Sequence, residues 1–319
     1  MRIRGPWLLC GIVVAAQACK PPVQNAPPPA SASAELVALS GASVFIGVGD
    51  IASCDSRGDE QTAALVDSIL KGDSVAKVND AVFTLGDNAY PSGRGQDFAN
   101  CFTPSWGDST KRIMKKIRPT PGNHEHLTGM AAPYYAYFGD KAGSSKKGYY
   151  SYDVGEWHVI ALNSEMLVNG GFAASDVQDQ LTWLGQDLQK NQKVCTLAYW
   201  HHPRYSSGWH GSDQRIDAIW QLLYNAGVDL ILNGHDHEYE RFEPLSPAGM
   251  VDSARGMVEI VAGTGGGELR GFSRIAPHSA FRLEGRFGVL KLTLGAREYQ
   301  HALIDVTGRI WDPGAGKCH

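Results

Sequence analysis

The chain has 319 residues, 43% of them hydrophobic and 19% charged, with a formal net charge of −4. This is ordinary globular composition for one large domain or two small ones, with enough aromatic residues for a large core. The slight acidity excludes the basic surface that nucleic acid or an anionic membrane would demand.

The first nineteen residues stand apart. Arg2 and Arg4 precede an apolar run, Trp7 to Ala18, that is too short for a permanent span and reads as an export signal over 1–19. Its end, Ala16-Gln17-Ala18-Cys19, is similar to a bacterial lipoprotein signal, with Cys19 as the lipidated mature terminus; ordinary cleavage after Ala18 is the alternative. Residues 20–41 are rich in Pro, Ala and Ser and read as a semi-extended tether. The folded domain is expected over 42–319, in an exported protein, periplasmic or on the cell surface and held by the lipid on Cys19. Four cysteines remain in that domain, and four allow three pairings. Cys54 and Cys101 both follow strand ends that carry polar motifs. Cys195 opens a strand, and Cys318 lies on a C-terminal tail that needs tying down. The expected pairs are therefore Cys54–Cys101 and Cys195–Cys318, with a free buried thiol at Cys195 as the alternative.

In chain order, Ser43 to Gly49 is a short buried strand ending on Asp50. Asp59 to Lys71 places Ala63, Leu65, Val66, Ile69 and Leu70 on one stripe and acids in its first turn, the pattern of an amphipathic helix. Ala81 to Leu85 is a strand running into Gly86-Asp87-Asn88-Ala89-Tyr90. Ile117 to Pro121 carries two prolines, which rule out a central strand, and is an extended approach to Gly122-Asn123-His124-Glu125. Tyr149–Val154 and Trp157–Leu162 alternate as a hairpin across Gly155-Glu156. Ser175 to Lys190 is a helix with Ser175 as expected N-cap, and Ser212 to Ala226 is another, closed by Gly227. Between them Val194 to Trp200 is a strand ending in His201-His202-Pro203. Val228 to Leu232 is a strand ending in Asn233-Gly234-His235-Asp236-His237. Strands are then expected over 257–262, 288–294 and 298–306. The alternation predicts one α/β domain with two packed sheets.

One arrangement recurs. Apolar strands stop, and within a residue or two come Asp50, Asp87, Asn123, His201 and His235. Ligands of α/β sheets lie outside the carboxyl ends of the strands. Neutral imidazoles two residues apart, as at His235 and His237, suit first-row metals. Any one of these residues has a bland reading as a turn or a satisfied core residue; five strand ends together do not. The run Gly263-Thr264-Gly265-Gly266-Gly267 follows a strand but no helix follows it, so a nucleotide-binding role is discounted.

Taken together, Gly86-Asp87-Asn88-Ala89-Tyr90, Gly122-Asn123-His124-Glu125, His201 two before Pro203, and Gly234-His235-Asp236-His237 resemble the ordered motifs of the calcineurin-like metallophosphoesterases, in their purple acid phosphatase-like branch. Where most of that superfamily has Asp-x-His, this chain has Asp50-Ile51-Ala52, in keeping with Tyr90 replacing the histidine; the branch usually has glycine at the position of Ala52. The resemblance implies a four-layer sandwich, two mixed β-sheets flanked by helices. It implies two metal ions, Fe(III) on Asp50, Asp87, Tyr90 and His237 and a divalent Fe, Zn or Mn on Asp87, Asn123, His201 and His235. A phenolate suits a trivalent ion, and one carboxylate can bridge two cations.

The implied reaction is hydrolysis of phosphoric esters, phosphomonoesters foremost, by a metal-bound hydroxide. His124 is the expected proton donor or phosphate contact, and His210 more loosely matches a phosphate-side histidine. His202 is expected to pack or support. The alternatives are a phosphodiesterase or nucleotidase with the same centre, or a non-catalytic binding lipoprotein. The expected partner is a small phosphorylated substrate, not nucleic acid.

Overall fold

A computed structural model describes residues 39–72, 79–143 and 147–319. The expected signal, Cys19 and nearly all of the tether lie outside the described residues. Among the described residues no helix is long and apolar enough to cross a membrane.

The strands in chain order are β1 (Ser43–Val48), β2 (Ala81–Leu85), β3 (Ile117–Thr120), β4 (Tyr150–Val154), β5 (Trp157–Ala161), β6 (Cys195–Tyr199), β7 (Leu230–Asn233), β8 (Tyr239–Phe242), β9 (Val258–Ala262), β10 (Ser279–Leu283), β11 (Gly288–Leu294), β12 (Glu298–Asp305) and β13 (Ile310–Lys317). They form two mixed sheets, in the order β13-β12-β11-β1-β2-β3 and β10-β8-β9-β7-β6-β5-β4. Within them β1, β2 and β3 run parallel, as do β5, β6, β7 and β9; the flanking pairings are antiparallel.

The apolar runs are continuous because these strands are buried on both faces. Side chains alternate across a strand. Phe45, Phe83, Leu85, Leu197, Tyr199, Leu230 and Leu232 meet between the sheets. Val44, Ile46 and Val48 point outward beneath Ala63, Val66 and Leu70 of the helix Gly58–Gly72. Ala198, Trp200 and Ile231 point to the other side, beneath Leu184 of the helix Ala174–Lys190 and Ile219, Trp220 and Leu223 of Asp217–Asn225. The result is helix, sheet, sheet, helix. Each fully buried Leu or Phe contributes about 1.5–3 kcal/mol.

Both expected disulfides form, with Cα–Cα distances of 5.0 Å for Cys54–Cys101 and 5.3 Å for Cys195–Cys318. Three local expectations are corrected. Residues 117–120 form a true strand, tolerated because β3 is the edge of its sheet, where a proline costs no ladder bond. Ser175 lies inside its helix; the first turn is closed by Asp176, whose carboxylate accepts from the Ala173 backbone N–H at 3.2 Å. The helix expected from Ser212 begins as a 3₁₀ turn over Gln214–Ile216, where Asp213 accepts from the Arg215 N–H, and becomes α-helical over Asp217–Asn225. The strands β8, β10 and β13 were not anticipated. They are antiparallel additions at the flanks, set by pairing with a neighbour rather than by their own apolar pattern.

Candidate metal centre

The parallel strands of the two sheets end on one rim. Gly49 N–H donates across the sheets to Ala262 O at 2.9 Å, and His201 Nδ1 donates to Leu85 O at 2.7 Å. Gly86 permits that second approach: with φ at +84°, a Cβ there would stand 2.5 Å from His201 Nδ1. Asp50, Asp87 and His235 themselves have φ of +59°, +48° and +72°, a region non-glycine residues seldom occupy.

The rim gathers two sets of donor atoms. In the first, Tyr90 Oη lies 3.0 Å from Asp50 Oδ1, 3.2 Å from Asp87 Oδ2 and 3.1 Å from His237 Nε2. Asp50 Oδ1 and His237 Nε2 are 3.3 Å apart. In the second, His201 Nε2 lies 3.0 Å from Asn123 Oδ1, 3.2 Å from His235 Nδ1 and 3.4 Å from Asp87 Oδ2. Asp87 Oδ2 belongs to both. All seven residues expected as ligands from the sequence are thus brought together.

Their supports fix which atoms face inward. His201 and His237 give their Nδ1 protons to the carbonyls of Leu85 and Glu268, leaving Nε2 of each for the centre. Asp50 Oδ2 accepts the His235 N–H at 2.9 Å, and Asp87 Oδ1 accepts the His124 N–H at 2.9 Å. The other carboxylate oxygen of each remains for the centre.

The electrostatics call for positive charge. Burial works against a proton on His201, yet the Asp87 carboxylate raises its pKa to about 10. Burial likewise opposes a charged His237, and Asp50 outweighs it and raises that imidazole. Burial first, then the histidines beside it, push His235 well below its usual value and keep it neutral. Burial and then Asp50 raise Tyr90, so its phenol needs a strong cation to ionise. Two buried carboxylates, a phenol, an amide and three oriented imidazoles fit a pair of cations better than a closed structural zinc site, which prefers cysteine and histidine sets.

His202 also lies among these rings, its ring tilted against that of His235 with 4.3 Å between centroids. Its Nδ1 is 2.9 Å from Ser164 Oγ, while Nε2 stands 3.4 Å from Glu165 Oε1 without a hydrogen bond to it. With His201 and His235 it forms a group of side chains whose ligand atoms lie close enough together to hold an ion. His124 sits at the mouth. Its Nδ1 donates to Pro91 O at 2.6 Å, and Nε2 is 3.7 Å from Asp87 Oδ2. His210 lies on the opposite flank, its ring 4.1 Å from that of His235.

Three supporting residues escaped the sequence. Glu125 ties two motif loops together, accepting from the N–H groups of Asn88 at 2.8 Å, Ala89 at 3.1 Å and Gly122 at 2.8 Å. Burial, then the charge of Asp87, raise it to about 8. Asp236, between His235 and His237, accepts from the His210 N–H at 2.8 Å, the Gly211 N–H at 3.3 Å and the Ser206 hydroxyl. Arg270 meets His210 Nε2 at 2.9 Å. The only sequence signal for any of them was that Glu125 and Asp236 fall inside motifs.

This chain belongs to the calcineurin-like phosphoesterase family, whose model matches residues 44–239. Within that family it is similar to acid phosphatase type 7 of Homo sapiens, 29% identical over 244 residues, 66% of this chain and 53% of that protein. It is also similar to purple acid phosphatase 15 of Arabidopsis thaliana, 29% identical over 226 residues, 59% of this chain and 40% of that protein. The chain thus spans about half the length of the curated relatives it matches. Its fold is shared with the purple acid phosphatase PPD1 of yellow lupin (Lupinus luteus), at a TM-score of 0.70 and 19% identity, over 87% of this chain and 54% of that one. It is shared too with GAP50, the inner-membrane-complex anchor of Plasmodium, at a TM-score of 0.68 and 16% identity over 88% and 90% of the two chains.

Proposed function

We propose that this chain hydrolyses phosphoric esters, phosphomonoesters foremost, at a two-cation centre. The observation that carries this reading is the pair of donor sets sharing Asp87 Oδ2. Asp50, Asp87, Tyr90 and His237 would hold one ion, Asp87, Asn123, His201 and His235 the other. When bound, such a pair lowers the pKa of water and neutralises charge on phosphoryl oxygens, so no serine or cysteine nucleophile is needed. Tyr90, a hard donor once ionised, favours trivalent iron at the first set; the neutral amide and imidazoles of the second suit a divalent ion.

The chain's own groups supply the rest. His124, its Nδ1–H held by Pro91 O, would as the imidazolium carry a second proton on Nε2, and that is the proton given to the departing alkoxide. The family's metallophosphoesterase chemistry and the intact donor set support an enzyme over a binding protein on the same fold. The two disulfides support an exported, periplasmic or surface location. Lipid on Cys19 is the remaining part of that reading, and intact mass of the membrane fraction tests it.

Metal analysis with a visible spectrum tests the centre. Two ions per chain and a purple or pink colour from charge transfer between the Tyr90 phenolate and Fe(III) are expected. Tyr90→Phe keeps the ring and loses the oxygen, so it should bleach the colour and weaken iron retention while the protein stays folded. A colourless protein, fully active with two divalent ions and indifferent to Tyr90→Phe, would overturn the iron assignment.

A further inference from the structure

The segment 263–270 and the loop 206–211 meet over the centre, and neither carries a ligand. The glycine run lies flush against the ligand loops. Gly265 N–H donates to Gly49 O at 3.0 Å and Gly267 N–H to Asp50 O at 2.8 Å. A Cβ at Gly267 would stand 3.1 Å from Tyr90 Cε2 and 3.3 Å from His237 Cε1, so the backbone passes close over two ligands of the first set. This path ends on Arg270, whose N–H donates to His237 O at 3.1 Å. Its guanidinium then reaches the other flank. Nη1 lies 2.9 Å from His210 Nε2, and Cζ is 5.0 Å above the Trp209 ring.

That contact settles what His210 can do. The guanidinium has only protons to give, so His210 Nε2 must accept, and the ring is neutral. His210 is held in turn, with Asp236 accepting its N–H and its ring lying 4.1 Å from that of His235. The loop is further tied to the chain just beyond that segment, because Ser273 Oγ donates to Gly208 O at 2.7 Å and Ser273 N–H to Ser207 O at 2.9 Å. The exposed indole of Trp209, at 66% of its full accessibility, leaves the guanidinium at the solvent side of the centre.

We propose that Arg270, bonded through its backbone to one ligand set and seated through His210 on the other, is the cation that receives the additional anionic oxygen of a phosphomonoester, and so sets the preference for monoesters over diesters. His210 is a positioning residue for it. This rests on the phosphoester hydrolysis proposed above. A monoester dianion carries a terminal oxygen charge that a diester has esterified. A guanidinium meets such oxygens with paired N–H groups, and charge-assisted bonds of that kind are the strong ones.

The test compares wild type, Arg270→Gln and Arg270→Lys, each loaded with metal, on p-nitrophenyl phosphate and bis(p-nitrophenyl) phosphate. Titration with inorganic phosphate by calorimetry gives a readout independent of turnover. Arg270→Gln should lose about 10- to 100-fold in kcat/KM on the monoester and about as much in phosphate affinity, with metal content unchanged. On the diester it should stay within about twofold, and Arg270→Lys should recover part of the monoester loss. Equal losses on both esters, or phosphate affinity indifferent to Arg270→Gln, would overturn the proposal. If wild type holds two ions and cleaves neither ester, the hydrolase reading itself fails, and the phosphate titration alone then decides the role of Arg270.

Discussion

Asp50 and Asp312 share a backbone conformation and little else. Both are aspartates with positive φ, +59° and +47°. Asp312, on the C-terminal flank, is answered by fixed charge: Arg241 donates from Nε at 2.7 Å and Nη2 at 2.8 Å, and Tyr239 Oη at 2.9 Å. Asp50, on the rim, is fully buried and meets a phenol, an imidazole and one backbone N–H, with no lysine or arginine in its described hydrogen bonds or ion pairs. Backbone strain is therefore not what marks a site in this molecule. What marks it is buried negative charge left for something outside the chain to neutralise, while the flank neutralises its own.

The two regions should break differently. Asp87→Ala removes the one oxygen common to both donor sets, so it should empty both ions, measured as metal content, and lower activity more than about 100-fold. If one ion stays in place, the oxygen is not shared as the geometry indicates. His124→Ala should keep both ions and lower turnover by about 10²–10⁴-fold, and nitrophenyl esters, whose leaving group scarcely needs a proton, should suffer less than alkyl esters. Loss of metal in that variant would make His124 a ligand support instead.

On the flank the damage should fall on stability alone. Cys195→Ser with Cys318→Ser opens a closure spanning 123 residues and should cost about 2–5 kcal/mol in denaturant unfolding, with kcat/KM kept where the protein is folded. The smallest effect is expected from Asp312→Asn, about 1–3 kcal/mol at neutral pH. Burial would raise the Asp312 carboxyl, but Arg241 holds it below its ordinary value. A depressed carboxylate stabilises the fold above its unfolded pKa of about 3.9 and loses that contribution as pH falls through the folded value. The gap between wild type and Asp312→Asn should therefore be full at pH 7 and close in acid. A gap that widens in acid would contradict the pairing.

The residues gathered on the rim were legible because most of them follow an apolar strand within a few residues, and strand ends are local signals; Asn123 was legible from its motif instead. The burial of the strands through Phe45 and Ile46 and through Leu230 and Ile231 was legible from their continuous apolar runs; which face each side chain takes was not. Glu125, Asp236 and Arg270 were not, because their partners are set by the tertiary fold. Glu125 reaches back 37 residues to Asn88, Asp236 reaches 26 to His210, and Arg270 reaches 60 to that same histidine. The strand β13 was hidden differently. Its sequence, Ile310 to Lys317, holds a proline and two glycines, and only its register against β12 makes it a strand.

The proline of β3 has a consequence beyond tolerance of an edge. An exposed sheet edge is a template on which another chain can add a strand. Here Pro119 offers no N–H, and its carbonyl is taken by the hydroxyls of Tyr134 at 3.0 Å and Tyr150 at 2.8 Å. The neighbouring Arg118 carbonyl accepts from Tyr199 at 3.0 Å. The border of the sheet that carries Asn123 and His124 is thereby closed to intermolecular pairing. Three tyrosines and an imino acid keep the mouth of the centre from becoming a seed for aggregation.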